Sequence, residues 1–314
     1  MTQTILTNQY NNPLEKELLN LFHQSNLPNH FNKTGYKDFT NYQRISLILL
    51  FKRSKKAIRD FLNELKENKW VNWLQLARIP KKSTFHDWLK LFNTKILRKL
   101  NNFCVDISNL KIAAIDGSGV QRNFRSPYYE KRLKDFNKKV KKSYHKLDII
   151  VDTQNKKQIL DYSFLLKNRN DSFVAKKLLK KIKFRRCKIL ADKGYPDFAF
   201  LDMAKKLQNN FISPPKNYGE RCRHDNHKRR RKKANFESNK YVYRRRVIVE
   251  AVFSSIKRVQ DLKLRSRLSY MKKREMAWHI LLYNIRRNIT FSEINHKENV
   301  QQVHYFFITI LIIY

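Results

Sequence analysis

Glycine and cysteine are scarce in this chain, and their scarcity excludes several classes of protein. Five of the 314 residues are glycine. They cannot be assembled into a GxGxxG motif or a GxxxxGK motif, which excludes dinucleotide-binding and P-loop nucleotide folds. The cysteines are too few and too scattered for a disulfide framework, and they suit a reducing cytosol: Cys104, Cys187 and Cys222.

Long apolar segments are scarce as well. The first residues lack a charged segment followed by an apolar run, so we expect no secretory signal. The longest apolar run, residues 303–314, is shorter than the roughly 20 residues that a transmembrane helix needs. Because 41% of the residues are hydrophobic and 13% are aromatic, we do not expect the whole chain to be disordered. These features predict a folded cytoplasmic protein with no membrane partner.

Acidic residues are few beside basic ones, 26 against 68, which gives a formal net charge of +42 at pH 7. A surplus of this size indicates a polyanionic partner, of which nucleic acid is the commonest. A lysine-rich composition without a binding role is the alternative. Clustering argues against it, because six basic residues are consecutive: Lys228, Arg229, Arg230, Arg231, Lys232 and Lys233. We therefore predict that residues 216–235 form a basic loop that contacts DNA.

The hydrophobic pattern of residues 1–105 is helical. Apolar residues recur at helical spacing on both sides of a break at Pro80. A helix, a short turn and a second helix are the outline of a helix-turn-helix DNA-binding unit. An ordinary helical packing region has the same outline, so both interpretations stay open. We predict a helical N-terminal region that binds DNA.

Strands and helices alternate in the pattern of residues 106–295. Short apolar runs predict five strands, at residues 111–116, 144–153, 158–165, 187–192 and 211–213. Two helices follow, at about residues 238–260 and 272–290. This order predicts an α/β fold, a ribonuclease-H-like mixed sheet flanked by helices and preceded by the all-α region. Residues 296–314 form an apolar tail of unknown role. Two roles are open for it, the addition of an edge strand to the sheet and association with another chain.

Three carboxylates stand where an α/β sheet presents side chains to a crevice. Asp116 and Asp192 each end a predicted apolar strand, and Glu250 lies inside the predicted helix that follows. A lone aspartate at the end of a strand more often caps a turn. Two such aspartates together with a glutamate on a later helix indicate a functional site, because buried carboxylates are costly unless they are paired or bind metal.

The helix around Glu250 carries a regularly spaced set of polar residues. At about 100° per residue, they occupy one stripe between apolar flanks: Tyr243, Arg246, Glu250 and Lys257. An amphipathic helix with an Arg–Glu pair four residues apart is the alternative without a function. A narrow polar stripe on an otherwise buried helix favours a functional interpretation.

The same residues resemble a known family. The spacing Tyr-x2-Arg-x3-Glu-x6-Lys matches the signature of insertion-sequence DDE transposases, and Asp116 in AIDGSG and Asp192 in LADKGYP resemble the two aspartates of that family. SPYYEKR at residues 126–132 and LLYNIRRN at residues 281–288 are also similar to its members. The similarity covers about residues 40–290.

The resemblance implies an enzyme that cuts DNA at insertion-sequence ends and joins the freed 3′-hydroxyl to target DNA. It implies that Asp116, Asp192 and Glu250 are catalytic and hold Mg²⁺, for which Mn²⁺ substitutes, in a two-metal-ion phosphoryl transfer. The other three residues of the stripe would hold the phosphates of the element's end. The implied partners are double-stranded DNA, as terminal inverted repeats and as target, and a second copy of the chain. The implied location is the cytoplasm, in association with the nucleoid.

Other functions and sites fit parts of the sequence. A degenerate transposase that only binds specific DNA would carry the same residues. A ribonuclease-H-like nuclease would need the carboxylates but not the basic stripe. Asp152 ends an apolar run and is an alternative first metal ligand, although its neighbours predict a turn. Cys222, His224 and His227 have the residue types of a zinc site but offer only three ligands.

Overall fold

The N-terminal region is helical, as predicted. The computed structural model describes residues 12–31, 37–121, 144–166, 171–182, 184–195, 198–215, 227–259, 262 and 264–313. Within the first two of these ranges it contains helices α1 Pro13–Ser25, α2 Asn41–Ser54, α3 Ile58–Leu65, α4 Trp70–Trp73, α5 Lys82–Leu91 and α6 Thr94–Cys104. Side-chain caps explain where some of them begin. Asn12 accepts the N–H of Leu14 at 3.0 Å, and Thr40 and Gln43 form a capping box at the start of α2.

A mixed sheet of five strands follows, which confirms the predicted α/β fold. The strands are β1 Ile112–Gln121, β2 Tyr144–Asp152, β3 Ile159–Leu165, β4 Lys188–Ala191 and β5 Asn210–Ile212. Their order in the sheet is β3-β2-β1-β4-β5. The pairs β1–β2 and β2–β3 are antiparallel, whereas β1–β4 and β4–β5 are parallel. Strand β1 is therefore the place where the sheet changes from antiparallel to parallel pairing.

Strand β1 is longer than the sequence predicts. The apolar run ends at Asp116, but the strand continues to Gln121 through a segment rich in glycine and serine. Antiparallel pairing holds this extension, since β1 stays in register with β2 as far as the pair of Gln121 and Tyr144. The prediction that a strand ends at Asp116 is wrong, because the neighbouring strand supplies backbone partners where the side-chain pattern stops.

The second half of the chain supplies the remaining helices. They are α7 Asp171–Leu179, α8 Phe198–Lys206, α9 His227–Ser238, α10 Lys240–Tyr243, a 3₁₀ turn Arg244–Arg246, α11 Val247–Val259 and α12 Ser269–Ile313. Residues 227–235 are thus helical and not part of a loop, which suits the good helix propensity of lysine and arginine. The single helix predicted over residues 238–260 is also wrong, because Asn239 leaves the helical conformation and the 3₁₀ turn tightens the backbone before α11.

The apolar tail continues helix α12. The sequence predicts that the last helix ends near residue 290, but residues 291–313 contain neither proline nor glycine, and the helix continues to Ile313. An edge strand formed by the tail is therefore excluded. Among the residues that the structure describes, no helix is both long enough and apolar enough to cross a membrane.

The core has two parts, one on each face of the sheet. On the first face, α11, α12 and the N-terminal helices pack against residues such as Ala114 and Leu190. On the second face, α7 and α8 pack against residues such as Ala113, Ile115 and Ile189. The N-terminal helices and the sheet therefore share one continuous apolar core through α12.

A buried ion pair also joins the N-terminal helices to α12. Lys52 of α2 donates to Glu275 of α12 at 2.9 Å, and the backbone N–H of Ser266 donates to the same carboxylate. Burial alone would raise the pKa of Glu275, but Lys52 and Ser266 lower it to about 2. The pair therefore stays charged at neutral pH, and it fixes the position of α12 relative to α2.

Candidate active site

Parallel pairing brings Asp116 and Asp192 side by side. Ile115 of β1 is in register with Ala191 of β4, and an aspartate follows each of them. Side chains alternate between the faces of a strand, and both preceding residues point into the core of the second face. The two carboxylates therefore point to the first face, toward α11. Asp116 lies inside β1 and not at its end, at the point where pairing with β4 stops.

Helix α11 places Glu250 above the same part of the sheet. The apolar side of this helix is buried in the core of the first face: Val249, Val252, Phe253 and Ile256. The Glu250 side chain lies in the first turn of α11 and is 53% exposed. Burial of one side of the helix thus fixes the backbone of Glu250, whereas its carboxylate keeps access to solvent.

Arg246 connects the strand to the helix. Its guanidinium donates to Asp116 Oδ2 at 3.1 Å and to Glu250 Oε1 at 2.5 Å. Burial alone would lower the pKa of Arg246, but Tyr243 and the neighbouring carboxylates raise it above its usual value. One cationic group is therefore shared by carboxylates that are far apart in the sequence.

The carboxylate of Asp116 is more enclosed than that of Glu250. Its side chain is 22% exposed, and its Oδ1 accepts the N–H of Gly117 at 2.8 Å. Burial raises the pKa of Asp116, the Gly117 N–H and Arg246 lower it, and the charges of Asp192 and Glu250 raise it again. The net shift is upward, so a cation at this place stabilises the charged form of Asp116.

The two remaining residues of the stripe lie on the same side of the sheet. Lys257 Nζ donates to Ser118 Oγ at 2.6 Å, two residues beyond Asp116 along β1. Burial raises the pKa of Tyr243, and the charge of Arg246 lowers it in part. Arg246 and Lys257 of the stripe predicted from helical spacing therefore contact β1, even though a 3₁₀ turn interrupts the helix. The sequence pattern did not indicate Ser118 as a partner.

The donor chemistry of the three carboxylates fits a hard divalent cation. Mg²⁺ and Mn²⁺ prefer carboxylate oxygen ligands, and the shared Arg246 guanidinium shows that this place already accommodates a positive charge. As the described side chains stand, no three histidine, cysteine, aspartate or glutamate residues are close enough together to hold an ion. Binding of a metal would therefore require side-chain movement, and the exposed carboxylate of Glu250 has room for it.

The basic cluster lies at the edge of the sheet. Its residues belong to α9, where Arg230, Arg231 and Lys233 are exposed, and the side chains of Lys228 and Arg229 lie outside the described residues. The amide groups of Asn235 and Asn210 donate to each other at 3.0 and 3.2 Å, and Asn235 also donates to the backbone carbonyl of β5. This amide pair anchors the basic helix to the edge strand, and nothing in the sequence pattern indicated it.

Asp152, the alternative first metal ligand, caps a turn. Its carboxylate accepts the backbone N–H groups of the residues that follow it, at 2.9 Å from Gln154 and 3.0 Å from Asn155. It pairs across the sheet with Ala113, three residues before Asp116. The zinc hypothesis concerns Cys222, His224 and His227. Cys222 and His224 lie outside the residues that the structure describes, whereas His227 is the exposed first residue of α9.

Comparisons with known proteins bear on the family of this chain. The profile of the family described as "Transposase DDE domain" matches residues 108–285, a segment that contains β1 to β5 and all three carboxylates. A solved structure of a piggyBac transposase synaptic complex with hairpin DNA is similar to 92% of this chain and 74% of that chain, with 11% identity and a TM-score of 0.47. No curated protein matches the sequence. Because the family profile matches more than half of the chain, this protein belongs to the DDE transposase family.

Proposed function

We propose that this transposase cuts DNA at the ends of an insertion sequence and joins the freed 3′-hydroxyl to target DNA. The observation that carries the proposal is the link that Arg246 makes between Asp116 of β1 and Glu250 of α11, beside Asp192. Two of the three carboxylates thus bond one cationic group, and the charge of Asp192 also raises the pKa of Arg246. Such a set of oxygen donors suits phosphodiester chemistry.

In this proposal Asp116, Asp192 and Glu250 hold Mg²⁺, for which Mn²⁺ would substitute. When bound, such ions activate the attacking hydroxyl and neutralise the charge that develops on the phosphate and the leaving oxygen. Burial of the apolar side of α11 limits the movement of Glu250 during this chemistry.

The remaining residues of the stripe would bind the phosphates of the element's end. Lys257 supplies a point charge beside β1, and Arg246 supplies a planar guanidinium that suits phosphate oxygens. Tyr243 supplies a phenolic hydroxyl on the same side. The exposed arginines and lysines of α9 would contact DNA further from the cut, where phosphate contacts fix the orientation of the duplex.

The proposed organisation divides the chain into three parts. Residues 1–105 would form a DNA-binding region, residues 106–295 the catalytic domain, and residues 296–314 a tail of unassigned role. The net charge of +42 supports double-stranded DNA as the partner, both as terminal inverted repeats and as target. Two copies of the chain would bridge the two ends of the insertion sequence. This would take place in the cytoplasm, in association with the nucleoid.

Cleavage of labelled DNA tests the proposal. The substrate carries the sequences that flank the gene, and the reaction contains Mg²⁺ or Mn²⁺. The wild type is compared with Asp192→Ala and with Asp202→Ala, the same substitution at an exposed position of α8. We expect the wild type and Asp202→Ala to cut at the boundary between the insertion sequence and the flanking DNA. We expect Asp192→Ala to bind the DNA without cutting it.

Other outcomes would favour the alternatives. Binding of the flanking DNA without cleavage by the wild type would favour a degenerate transposase. Cleavage of any duplex or of RNA–DNA hybrids, with no preference for a boundary, would favour a ribonuclease-H-like nuclease. Full cleavage by Asp192→Ala would contradict the assignment of the catalytic residues.

A further inference from the structure

Arg246 and a divalent ion would require the same oxygen atoms. The guanidinium donates to Asp116 Oδ2 and to Glu250 Oε1, and these carboxylates are two of the three proposed metal ligands. A carboxylate oxygen that accepts hydrogen bonds from a guanidinium offers fewer lone pairs to a metal. A full contact with Arg246 and full coordination of an ion are therefore alternatives at these atoms.

The surroundings of Arg246 permit an exchange of partners. Its side chain is 19% exposed, and that of Glu250 is 53% exposed, so neither is locked into the core. Arg246 is the last residue of the 3₁₀ turn that precedes α11, and no residue of this turn is buried. The buried side chains of Val249 and Val252 hold the backbone of α11 against the sheet. The side chain can therefore move while the backbone stays fixed.

We propose that Arg246 is a displaceable counter-ion of the catalytic carboxylates. A divalent ion that binds Asp116 and Glu250 displaces the guanidinium, which then becomes available to a phosphate of the DNA. This inference rests on the proposed function, in which the same carboxylates hold the metal. It couples the two ligands, because binding of the ion frees a phosphate-binding group and binding of the phosphate removes a competitor of the ion.

The direction of the effect separates this role from a purely structural one. If Arg246 competes with the ion, Arg246→Gln binds metal more tightly, because a competing positive charge is lost. If Arg246 only holds the carboxylates in place, the same substitution weakens metal binding. Arg245→Gln is the matched control, since it removes the same charge from an exposed neighbour in the same 3₁₀ turn.

Titration of the full-length chain with Mn²⁺ measures the competition. Free Mn²⁺ is followed by electron paramagnetic resonance, in the absence of DNA, and circular dichroism verifies that each variant is folded. We expect Arg246→Gln to bind Mn²⁺ roughly tenfold more tightly than the wild type, in the range of typical coupling between ligands. Arg245→Gln should differ from the wild type by less than about twofold, because charge effects at exposed sites are screened.

Further variants keep the test decisive. Arg246→Lys retains the charge but cannot bridge two carboxylates with a planar fork, so we expect a smaller gain in Mn²⁺ affinity. Unchanged or weaker binding by the folded Arg246 variants would overturn the inference and leave the proposed function intact. Unchanged Mn²⁺ affinity in both Asp116→Asn and Glu250→Gln would instead refute the proposed metal site.

The coupling to DNA gives a second, independent readout. Affinity for the DNA of the element's end is measured with and without Ca²⁺, a cation with the same preference for oxygen ligands. We expect Ca²⁺ to tighten binding by the wild type and by Arg245→Gln, and to have little effect on Arg246→Gln. An equal effect of Ca²⁺ on all three proteins would contradict the release of Arg246 to the phosphate.

Discussion

Asp116 and Asp148 are close neighbours in the sheet, but their surroundings differ. Asp148 of β2 pairs with Gly117, the residue after Asp116, so the two aspartates point to opposite faces. The Asp116 side chain is 22% exposed and contacts Arg246. The Asp148 side chain is 1% exposed and lies 3.5 Å from Lys146 Nζ. Burial raises the pKa of both carboxyl groups.

The difference between them is one of access. On the face of Asp116, the 3₁₀ turn supplies Arg246, and α11 supplies Glu250, whose carboxylate is exposed to solvent beside the strand. On the face of Asp148, the carboxylate is enclosed beside the core that α7 and α8 cover. In the proposed function, the catalytic aspartate is therefore the one that shares Arg246 with the exposed carboxylate of Glu250, and the enclosed Asp148 is not part of the site.

Substitution of the two aspartates is the strongest test of this comparison. We expect Asp116→Asn to lose DNA cleavage by roughly a thousandfold or more, because metal-assisted charge stabilisation is worth several kcal/mol. Asp148→Asn should retain most of the cleavage activity, since its carboxylate faces away from α11. Cleavage by metal-activated wild-type protein is the reference. A comparable loss of DNA cleavage in Asp148→Asn would contradict the proposal that only the aspartate on the face of α11 takes part in catalysis.

The pH dependence of stability tests the burial of Asp148. Burial raises the pKa of Asp148 to about 7, and Lys146 lowers it only in part. The unfolded value is about 4, so the folded state binds more protons between pH 4 and 7. The free energy of unfolding should therefore fall, by on the order of a few kcal/mol, as the pH rises through this window.

Urea denaturation of the wild type and of Asp148→Asn across this range measures the effect. The asparagine variant has no group that titrates at this place, so this part of the slope should be absent from its profile. Parallel profiles for the two proteins would show that Asp148 is not buried in the way that the structure describes.

Gly117 separates the two carboxylates, and a side chain there should disturb both faces. An added Cβ would lie 2.6 Å from Asp148 Oδ1. We expect Gly117→Ala to lower the free energy of unfolding by about 2 kcal/mol, as for other overpacked sites. A double-mutant cycle with Asp148→Ala, measured by thermal denaturation, should show that the alanine costs less when the carboxylate is gone. Additive effects would contradict the close contact.

The amide pair at the edge of the sheet should have the smallest effect. Asn235→Ala removes its hydrogen bonds to Asn210 and to the carbonyl of Phe211, a change of about 1 kcal/mol. We expect a loss of DNA affinity of roughly fivefold, with an unchanged dependence on salt because the basic residues of α9 are still present. Lys233→Gln is the control, and it should reduce the salt dependence itself. Wild-type affinity in Asn235→Ala would show that the anchor does not affect DNA binding.

Three residues that the sequence spacing singled out, Asp116, Arg246 and Glu250, are in contact in the structure, whereas parts of the local backbone differ from the prediction. The three carboxylates and the polar stripe were all visible as spacing, because the residue types required by phosphate chemistry are few. The extension of β1 to Gln121 and the break at residues 244–246 were not visible. Both depend on contacts with other parts of the chain, namely pairing with β2 and the contact of Arg246 with β1.

The amino-acid sequence by itself determined the α/β fold class, the helical N-terminal region, the five strands and the membership of the DDE transposase family. These follow from the period of the apolar residues and from the spacing of a few polar ones, which are local properties. Only the tertiary structure decided that Arg246 joins Asp116 to Glu250 and that Asp148 is enclosed on the opposite face. Those outcomes depend on which strands are neighbours and on which face each helix covers, and a one-dimensional pattern does not contain that information.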